Sequence, residues 1–411
     1  MAAKIVSTLE PRKTVPATLL GAGIGLVAGS VVAASVSALA AYFARRVVTP
    51  ELNATGRDVV REIVTDEAGE TWIHFLRDTE TSAAGEHSFY THAGQCCVRV
   101  SGPVPVADKP RLIARKVLHT YYGTLRGAKR GNLSGSIYEH PSDLGIEATD
   151  VTVNLEVGPA PAWFIEGSTH RSTWVICVHG RGARRTESIR ALPTLQDLGV
   201  SALLLSYRND GDAPNASDGR YGLGDTEWHD VESAIRYAKD QGATQIVLLG
   251  WSMGGAISLQ VANRSYLAKE IDSLMLVGPV INWVDVLTHQ ARLNRIPQTV
   301  GLVAQWLLSN RAGRWITGLA APVNLKRLNW VERAAELTHP ILLMHSRDDE
   351  FVPSGPSERL ARLRPDLVTL RSFSGAGHTR EPNVDPAGFA AAISDFLSRR
   401  LAEYQSTNQA K

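Results

Sequence analysis

Two hydrophobic rhythms divide the chain. Between residues 146 and 404, short apolar runs recur: VTVNLEV, AWFIE, STWVICVHG, SALLLSY, IVLLG, SLMLVG, PILLMHS and LVTLRSF. Amphipathic segments separate most of them. In TEWHDVESAIRYAKD, for example, Trp228, Val231, Ile235 and Ala238 share one helical face. Strands alternating with helices predict an α/β domain with a mostly parallel sheet and helices on both faces. The first two runs predict a hairpin around Gly158–Pro161. AGFAAAISDFLSRRL predicts a closing helix, and residues 405–411 form a tail. The alternation breaks over residues 281–335, which hold Trp283, Trp306, Trp315 and Trp330 with several arginines and lysines. This insertion reads as a helical cap over the site, lined by apolar groups. Its mixture of aromatic and basic residues also suits an anionic bilayer.

The N-terminal part follows a different pattern. Residues 1–14 are a basic tail, and Val15 to Ala44 contains no charged residue before Arg45 and Arg46. About 20 apolar residues cross a bilayer, so 15–44 is expected to be a single-pass membrane anchor. The competing expectation is a cleaved signal peptide ending at Ala38-Leu39-Ala40, with the protein secreted. Gly21, Gly25 and Gly29 repeat on one helical face and could bring two copies together as a homo-oligomer. The GAGIG string there has no preceding strand and is not a nucleotide loop. Residues 45–145 show strand-like pieces at Thr71–Leu76 and Cys97–Val100, read as a small β-containing region. A linker follows at Tyr138–Pro141.

Composition narrows the partners. The net charge of +2 gives no argument for nucleic acid. Three cysteines cannot build a disulfide framework. His74, His87 and His92 lack metal-ligand spacing. The oxygen-rich loop Asn209–Asn215 lacks the closing glutamate of a calcium loop. No metal and no cofactor are expected.

The chemistry centres on QIVLLGWSMGGAISL. Gly250-Trp251-Ser252-Met253-Gly254 stands between an apolar strand and a helix start, the context of a nucleophile elbow. A serine is a weak nucleophile and needs a base, an acid that orients the base, and donors for an oxyanion. The base candidate is His378, after the turn Ser374-Gly375-Ala376-Gly377; it is the only histidine beyond the acidic run that follows PILLMHS. That run leaves Asp348, Asp349 and Glu350 open. Met253 N–H and Arg181 N–H, the latter in His179-Gly180-Arg181-Gly182, are the oxyanion-hole candidates. His179 reads as a structural residue of that loop. Arg181, Arg184 and Arg185 sit where a helix is expected to begin, a position that an anionic substrate group would favour.

HGRG, GWSMGG and the acid–histidine pair, in that order, resemble the α/β-hydrolase superfamily over roughly residues 146–404. The spacing of His345, Asp349, Val352 and Pro353 is similar to the acid loop of its esterase- and dipeptidyl-peptidase-like members, with Ser346 where glycine is usual. This resemblance selects Asp349 as the acid. SYRNDGDAP and GLGDTEWHDVESAIRYA look like membrane-anchored α/β-hydrolases of actinobacteria and, more distantly, the BEM46-like group. The resemblance implies an α/β-hydrolase fold and an anchored serine hydrolase. The expected substrate is a carboxylic ester, small or lipid-like. Amide or peptide hydrolysis by the same residues, and a non-catalytic hydrolase-fold binding protein, are the alternatives.

Overall fold

The computed structural model describes residues 35–50 and 56–409. Among these, residues 35–48 form helix α1. Ala40, Ala44 and Val48 recur every four residues on one face, and all three are fully buried in the core of the C-terminal domain. The segment expected to end a membrane span at Ala44 thus docks on protein from Ala40 onward. Ala40, which closes the candidate cleavage triplet, is part of that core. Among the described residues no helix is long and apolar enough to cross a membrane. Residues 15–34 of the expected anchor, with Gly21, Gly25 and Gly29, lie outside the described residues.

Residues 56–134 hold seven strands: β1 (Asp58–Thr65), β2 (Thr71–Leu76), β3 (His87–Thr91), β4 (Cys96–Val100), β5 (Val104–Pro105), β6 (Leu112–Tyr122) and β7 (Arg130–Ser134). They pair in the order β2-β1-β7-β3-β4-β6-β5, and β2 also pairs with β6. Six strands therefore close into a ring, which removes their exposed edges. Ile73, Phe75, Phe89 and Val98 fill it, with the Phe75 and Phe89 rings edge-to-face at 5.0 Å. The sequence suggested only two of these strands. In β6 the polar Arg115 breaks the apolar alternation, yet it is fully buried. Its guanidinium donates to the carbonyls of Thr81, Ala83, Gly85 and Ser101, which satisfies a charge that burial would otherwise penalise. Burial pushes its pKa down to about 10, so it stays protonated at neutral pH.

The larger domain is one eight-stranded sheet. Its strands are β8 (Thr149–Leu155), β9 (Gly158–Ile165), β10 (His170–Val178), β11 (Val200–Leu205), β12 (Gln245–Trp251), β13 (Ile271–Val277), β14 (Ile341–Ser346) and β15 (Val368–Phe373). They lie in the order β8-β9-β11-β10-β12-β13-β14-β15. Only β9 is reversed: it pairs antiparallel with both β8 and β11, whereas β10 to β15 pair in parallel throughout. The helices are α2 (Leu192–Asp197), α3 (Trp228–Asp240), α4 (Met253–Arg264), α5 (Trp283–Leu293), α6 (Gln298–Ser309), α7 (Arg314–Thr317), α8 (Gly355–Leu363), α9 (Glu381–Val384) and α10 (Pro386–Gln409). Side chains alternate across each strand, so a buried strand feeds two cores. Ile176, Ile246 and Leu248 meet Val231 and Ile235 of α3 and Ile257 of α4 on one face. Val175, Val247 and Leu249 meet Leu195 of α2 and Phe389, Ile393 and Leu397 of α10 on the other.

The insertion between β13 and β14 contributes α5, α6 and α7. Helix α5 rests on the acid loop: Gln290 Nε2 donates to Phe351 O at 2.9 Å, and Asp285 pairs with Arg359. Of its four tryptophans, Trp283 and Trp330 are buried, whereas Trp306 and Trp315 face outward. Two of the four are thus core residues, and two lie on the outer face of the insertion. The outer two belong to the exposed sides of short helices whose inner sides carry Val300, Leu307 and Leu308 into the core.

The central strand carries the site and is packed on both faces. Leu248→Ala is expected to cost about 2–5 kcal/mol, because it opens a cavity beneath the sheet centre. A urea melt measures this; a loss below about 1 kcal/mol would contradict the packing described.

Candidate active site

Ser252 sits at the junction of β12 and α4 with φ 51° and ψ −114°. This is a left-handed backbone that costs a non-glycine residue about 1–3 kcal/mol. Its neighbours explain how the turn closes. A Cβ on Gly250 would stand 2.5 Å from Gly254 O, and one on Gly254 would stand 2.1 Å from Val178 O. Neither position has room for a side chain. Ser252 N donates to Val277 O at 2.9 Å, and Ser252 O accepts from Gly255 N and Val280 N. The turn is thus bonded to the adjacent strand and to the helix it starts.

His378 Nε2 lies 2.8 Å from Ser252 Oγ, and His378 Nδ1 lies 2.7 Å from Asp349 Oδ2. The three residues come from the ends of β12, β14 and β15 and meet at one edge of the sheet. Asp349 is buried, and its other oxygen accepts from Phe351 N at 2.9 Å and Val352 N at 2.8 Å. His345 Nε2 approaches Asp349 Oδ2 at 3.3 Å and is itself held by Ser357 Oγ and Val352 O. Burial raises the Asp349 pKa, but His378 and His345 more than offset it and hold the carboxyl well below the usual range. Asp348 points elsewhere: it is exposed, and Oδ2 accepts from Gly375 N at 2.7 Å. Its carboxylate pins the glycine turn that leads to His378. Glu350 is exposed, and its carbonyl is engaged by His289 of α5.

The HGRG loop abuts the serine. A Cβ on Gly180 would lie 3.2 Å from Ser252 Cβ, and Met253 is the first residue of α4. The Arg181 side chain turns away from this point. It donates to Arg46 O and Thr49 O at the C-terminal end of α1 and lies over the Tyr221 ring at 5.1 Å. His179 is fully buried and stacks on Tyr207 at 4.2 Å. Burial pushes its pKa down to about 4, so it is neutral and suited to holding the loop. The expected anionic subsite is only weakly served: Arg185 pairs with Asp212 and covers Trp163, which leaves Arg184 as the exposed member beside Arg181. Asp212 and Asp210 of the oxygen-rich loop are engaged within the protein, Asp210 by Gly182 N and Tyr221 Oη. Burial pushes Asp210 up to about 7. Among the described residues no three acidic, cysteine or histidine groups cluster as metal ligands.

Sequence reasoning missed two buried glutamates. Glu187 accepts from Gly180 N at 2.6 Å with one oxygen and from Thr379 Oγ1 at 3.3 Å with the other. It joins the loop beside the serine to the residue after His378. Glu381 accepts from Ser346 N at 3.0 Å, and burial pushes it up to about 7. Neither belongs to a motif: Glu187 stands in RRTESIR and Glu381 in HTREPNVD, polar stretches that read as surface. Asn383 links this region to the barrel, donating to Glu86 O and Gly135 O at 2.8 and 2.9 Å.

The model of the alpha/beta hydrolase family matches residues 175–392, over half of the chain and all of the site. This chain belongs to that family. None of the curated proteins matches the hydrolase. Among solved structures it is similar to the Pyrococcus furiosus esterase Pf2001, at 18% identity over 64% of this chain and 96% of that one, with a TM-score of 0.49. An esterase from Exiguobacterium antarcticum is 18% identical over 61% of this chain and all of its own, with a TM-score of 0.43. A Thermogutta terrifontis esterase is 19% identical over 62% of this chain and 99% of its own, with a TM-score of 0.44.

The His378 environment has a measurable consequence. Burial lowers the imidazole's basicity, but the Asp349 charge and hydrogen bond outweigh it and raise its pKa above 6.5. Asp349→Asn removes that charge, so the His378 titration followed by NMR is expected to move to lower pH. Asp348→Asn should leave it in place, since Asp348 has no contact with the ring. A larger shift in the Asp348 variant would reverse the assignment.

Proposed function

We propose that the hydrolase cleaves carboxylic esters through an acyl-enzyme on Ser252. The observation that carries this reading is the chain of hydrogen bonds from Ser252 Oγ through His378 to Asp349, at 2.8 and 2.7 Å, which starts from a serine held at positive φ. Ser252 Oγ attacks the carbonyl carbon while His378 Nε2 takes its proton. Asp349 holds the imidazole by Nδ1 and stabilises the imidazolium. The amides of Arg181 and Met253 receive the charge that develops on the carbonyl oxygen. The C–O bond then breaks, and the leaving alcohol takes the proton from His378. Water repeats the sequence on the acyl-enzyme and releases the carboxylate. No cofactor enters any step.

Residues 15–34 serve in this reading as a membrane anchor, which brings the chain near membrane-anchored relatives of actinobacterial type. Its uncharged sequence, the part of the Val15–Ala44 run that precedes the helix docked on the protein, supports it. A lipid-like or other apolar acyl ester is the substrate class that fits such a location.

A fluorophosphonate probe tests the mechanism by phosphonylating an activated serine. Wild-type protein and Asp348→Asn are expected to label, Asp349→Asn much more slowly, and Ser252→Ala not at all. Ester turnover should fall at least about 1,000-fold in Ser252→Ala. Its acid limb in wild type should follow His378, because the base must be neutral: activity rises with pH through a pKa above 6.5. Labelling that persists in Ser252→Ala would overturn the reading, and wild-type protein that neither labels nor turns over esters would favour a binding protein.

A further inference from the structure

The insertion has an outer face that the chemistry does not use. Helix α6 buries Val300, Ala304, Leu307 and Leu308 and leaves Leu302 and Trp306 outside at 58% and 52% exposure. Helix α7 presents Trp315 at 94% exposure, beside Ile316. Large apolar groups gathered on one side of a folded domain mark a surface that meets something other than water.

Helix α1 extends the same face. Arg45 Nη1 donates to Ile316 O at 3.1 Å, which sets the end of α1 against α7. The buried side of α1 enters the core that also holds the inner side of α6. Its outer side carries Leu39 and Tyr42, with Tyr42 55% exposed. The chain immediately before α1 is the uncharged stretch that begins at Val15.

Charge identifies the occupant. From Asp285 to Glu332 there is no acidic residue between the two, but there are six lysines and arginines in a chain whose net charge is only +2. Arg311 and Arg314 precede Trp315 by four residues and one and are exposed, as is Arg45. Tryptophan and tyrosine favour the boundary between hydrocarbon and headgroups, while arginines pair with anionic headgroups.

We infer that the outer face of α6 and α7, continued by the exposed side of α1, docks on an anionic lipid bilayer. Trp306 and Trp315 insert at the headgroup boundary, and Arg311 and Arg314 engage lipid phosphates. The face acts beyond the anchor: an anchor alone would tether the domain at any orientation, whereas this surface fixes which side meets the lipid. The inference does not depend on the ester-cleaving reading, and its test needs no turnover.

The full chain is mixed with vesicles of phosphatidylcholine, alone or with phosphatidylglycerol, in which one acyl chain carries bromine. Bromine quenches only tryptophans at the lipid boundary. Wild-type protein is expected to lose fluorescence on anionic vesicles, and Trp306→Phe/Trp315→Phe to lose that bromine-dependent signal. Arg311→Glu/Arg314→Glu should lose it too. Thermal melts of the phenylalanine variant and of Arg311→Glu alone should match wild type, since those side chains are exposed; Arg311→Glu alone, which keeps the Arg314 Nε bond to Leu319 O at 3.2 Å, should also weaken the quenching. Equal quenching in wild type and the double phenylalanine variant would overturn the inference. So would quenching that is the same without anionic lipid. A lipid-free dimer that Trp306→Phe/Trp315→Phe dissolves would also overturn it and assign the face to a second copy.

Discussion

The structure depends on how closely α4 approaches β10. A Cβ on Gly254 would lie 2.1 Å from Val178 O, so the first turn of α4 can close only over glycine. That approach fixes the sharp reversal after Trp251 and forces Ser252 to positive φ. The strain is retained because packing on both faces of β12 over-determines the turn. Val247, Leu249 and Trp251 are held by one layer of helices and Ile246 and Leu248 by the other. The serine is therefore placed by the core rather than by a flexible loop, and its Oγ reaches His378 without rearrangement of the backbone.

Around that point the protein concentrates buried carboxylates. Asp349 is kept ionised by donors from Phe351, Val352 and His378, so its burial costs less than that of an isolated charge. Glu187 is tied to the Gly180 amide and the Thr379 hydroxyl, with Arg190 3.7 Å away. Arg190 in turn donates to Thr379 O at 2.8 Å and stacks over Trp251 at 4.5 Å. Trp251, which precedes Ser252, and Thr379, which follows His378, thus share one buried guanidinium. Because these groups are mutually bonded, removing any one leaves another buried and unpaired, and their effects will not add.

The α/β sheet was legible because its strands are short and apolar and amphipathic helices separate most of them, so both periodicities survive in the sequence. Gly250 and Gly254 likewise mark the elbow, since no other residue fits either place. The acid candidate was legible only through the resemblance of its loop, because Asp348 and Asp349 are adjacent; in the structure Asp349 turns inward to His378 and Asp348 caps the Gly375 turn. The barrel was largely illegible for a different reason. Its strands are held by ring closure and by Arg115, whose partners are four backbone carbonyls spread over residues 81–101. Backbone acceptors carry no sequence signature, so an inward-facing arginine reads as a surface residue. Glu187 was missed on the same ground, because one of its partners is the backbone of Gly180.

Arg181 joins the site to the N-terminal helix. Its backbone lies in the loop beside Ser252, while its guanidinium reaches the carbonyls of Arg46 and Thr49 at the C-terminal end of α1. A cation is favoured there because the helix dipole places partial negative charge at that end. Two further bonds tie the same end down: Tyr221 N donates to Val48 O at 2.9 Å, and Arg220 Nη1 donates to Thr49 Oγ1 at 2.6 Å. Tyr221 then holds Asp210, and Asp210 holds Gly182 N, which closes a circuit back to the HGRG loop. Displacing α1 would release Arg181, Arg220 and Tyr221 together. The loop beside the serine is therefore braced by a helix that lies outside residues 175–392, the part shared with the family. That helix carries Leu39 and Tyr42 on its opposite side, so whatever meets its outer face bears directly on the brace of the site.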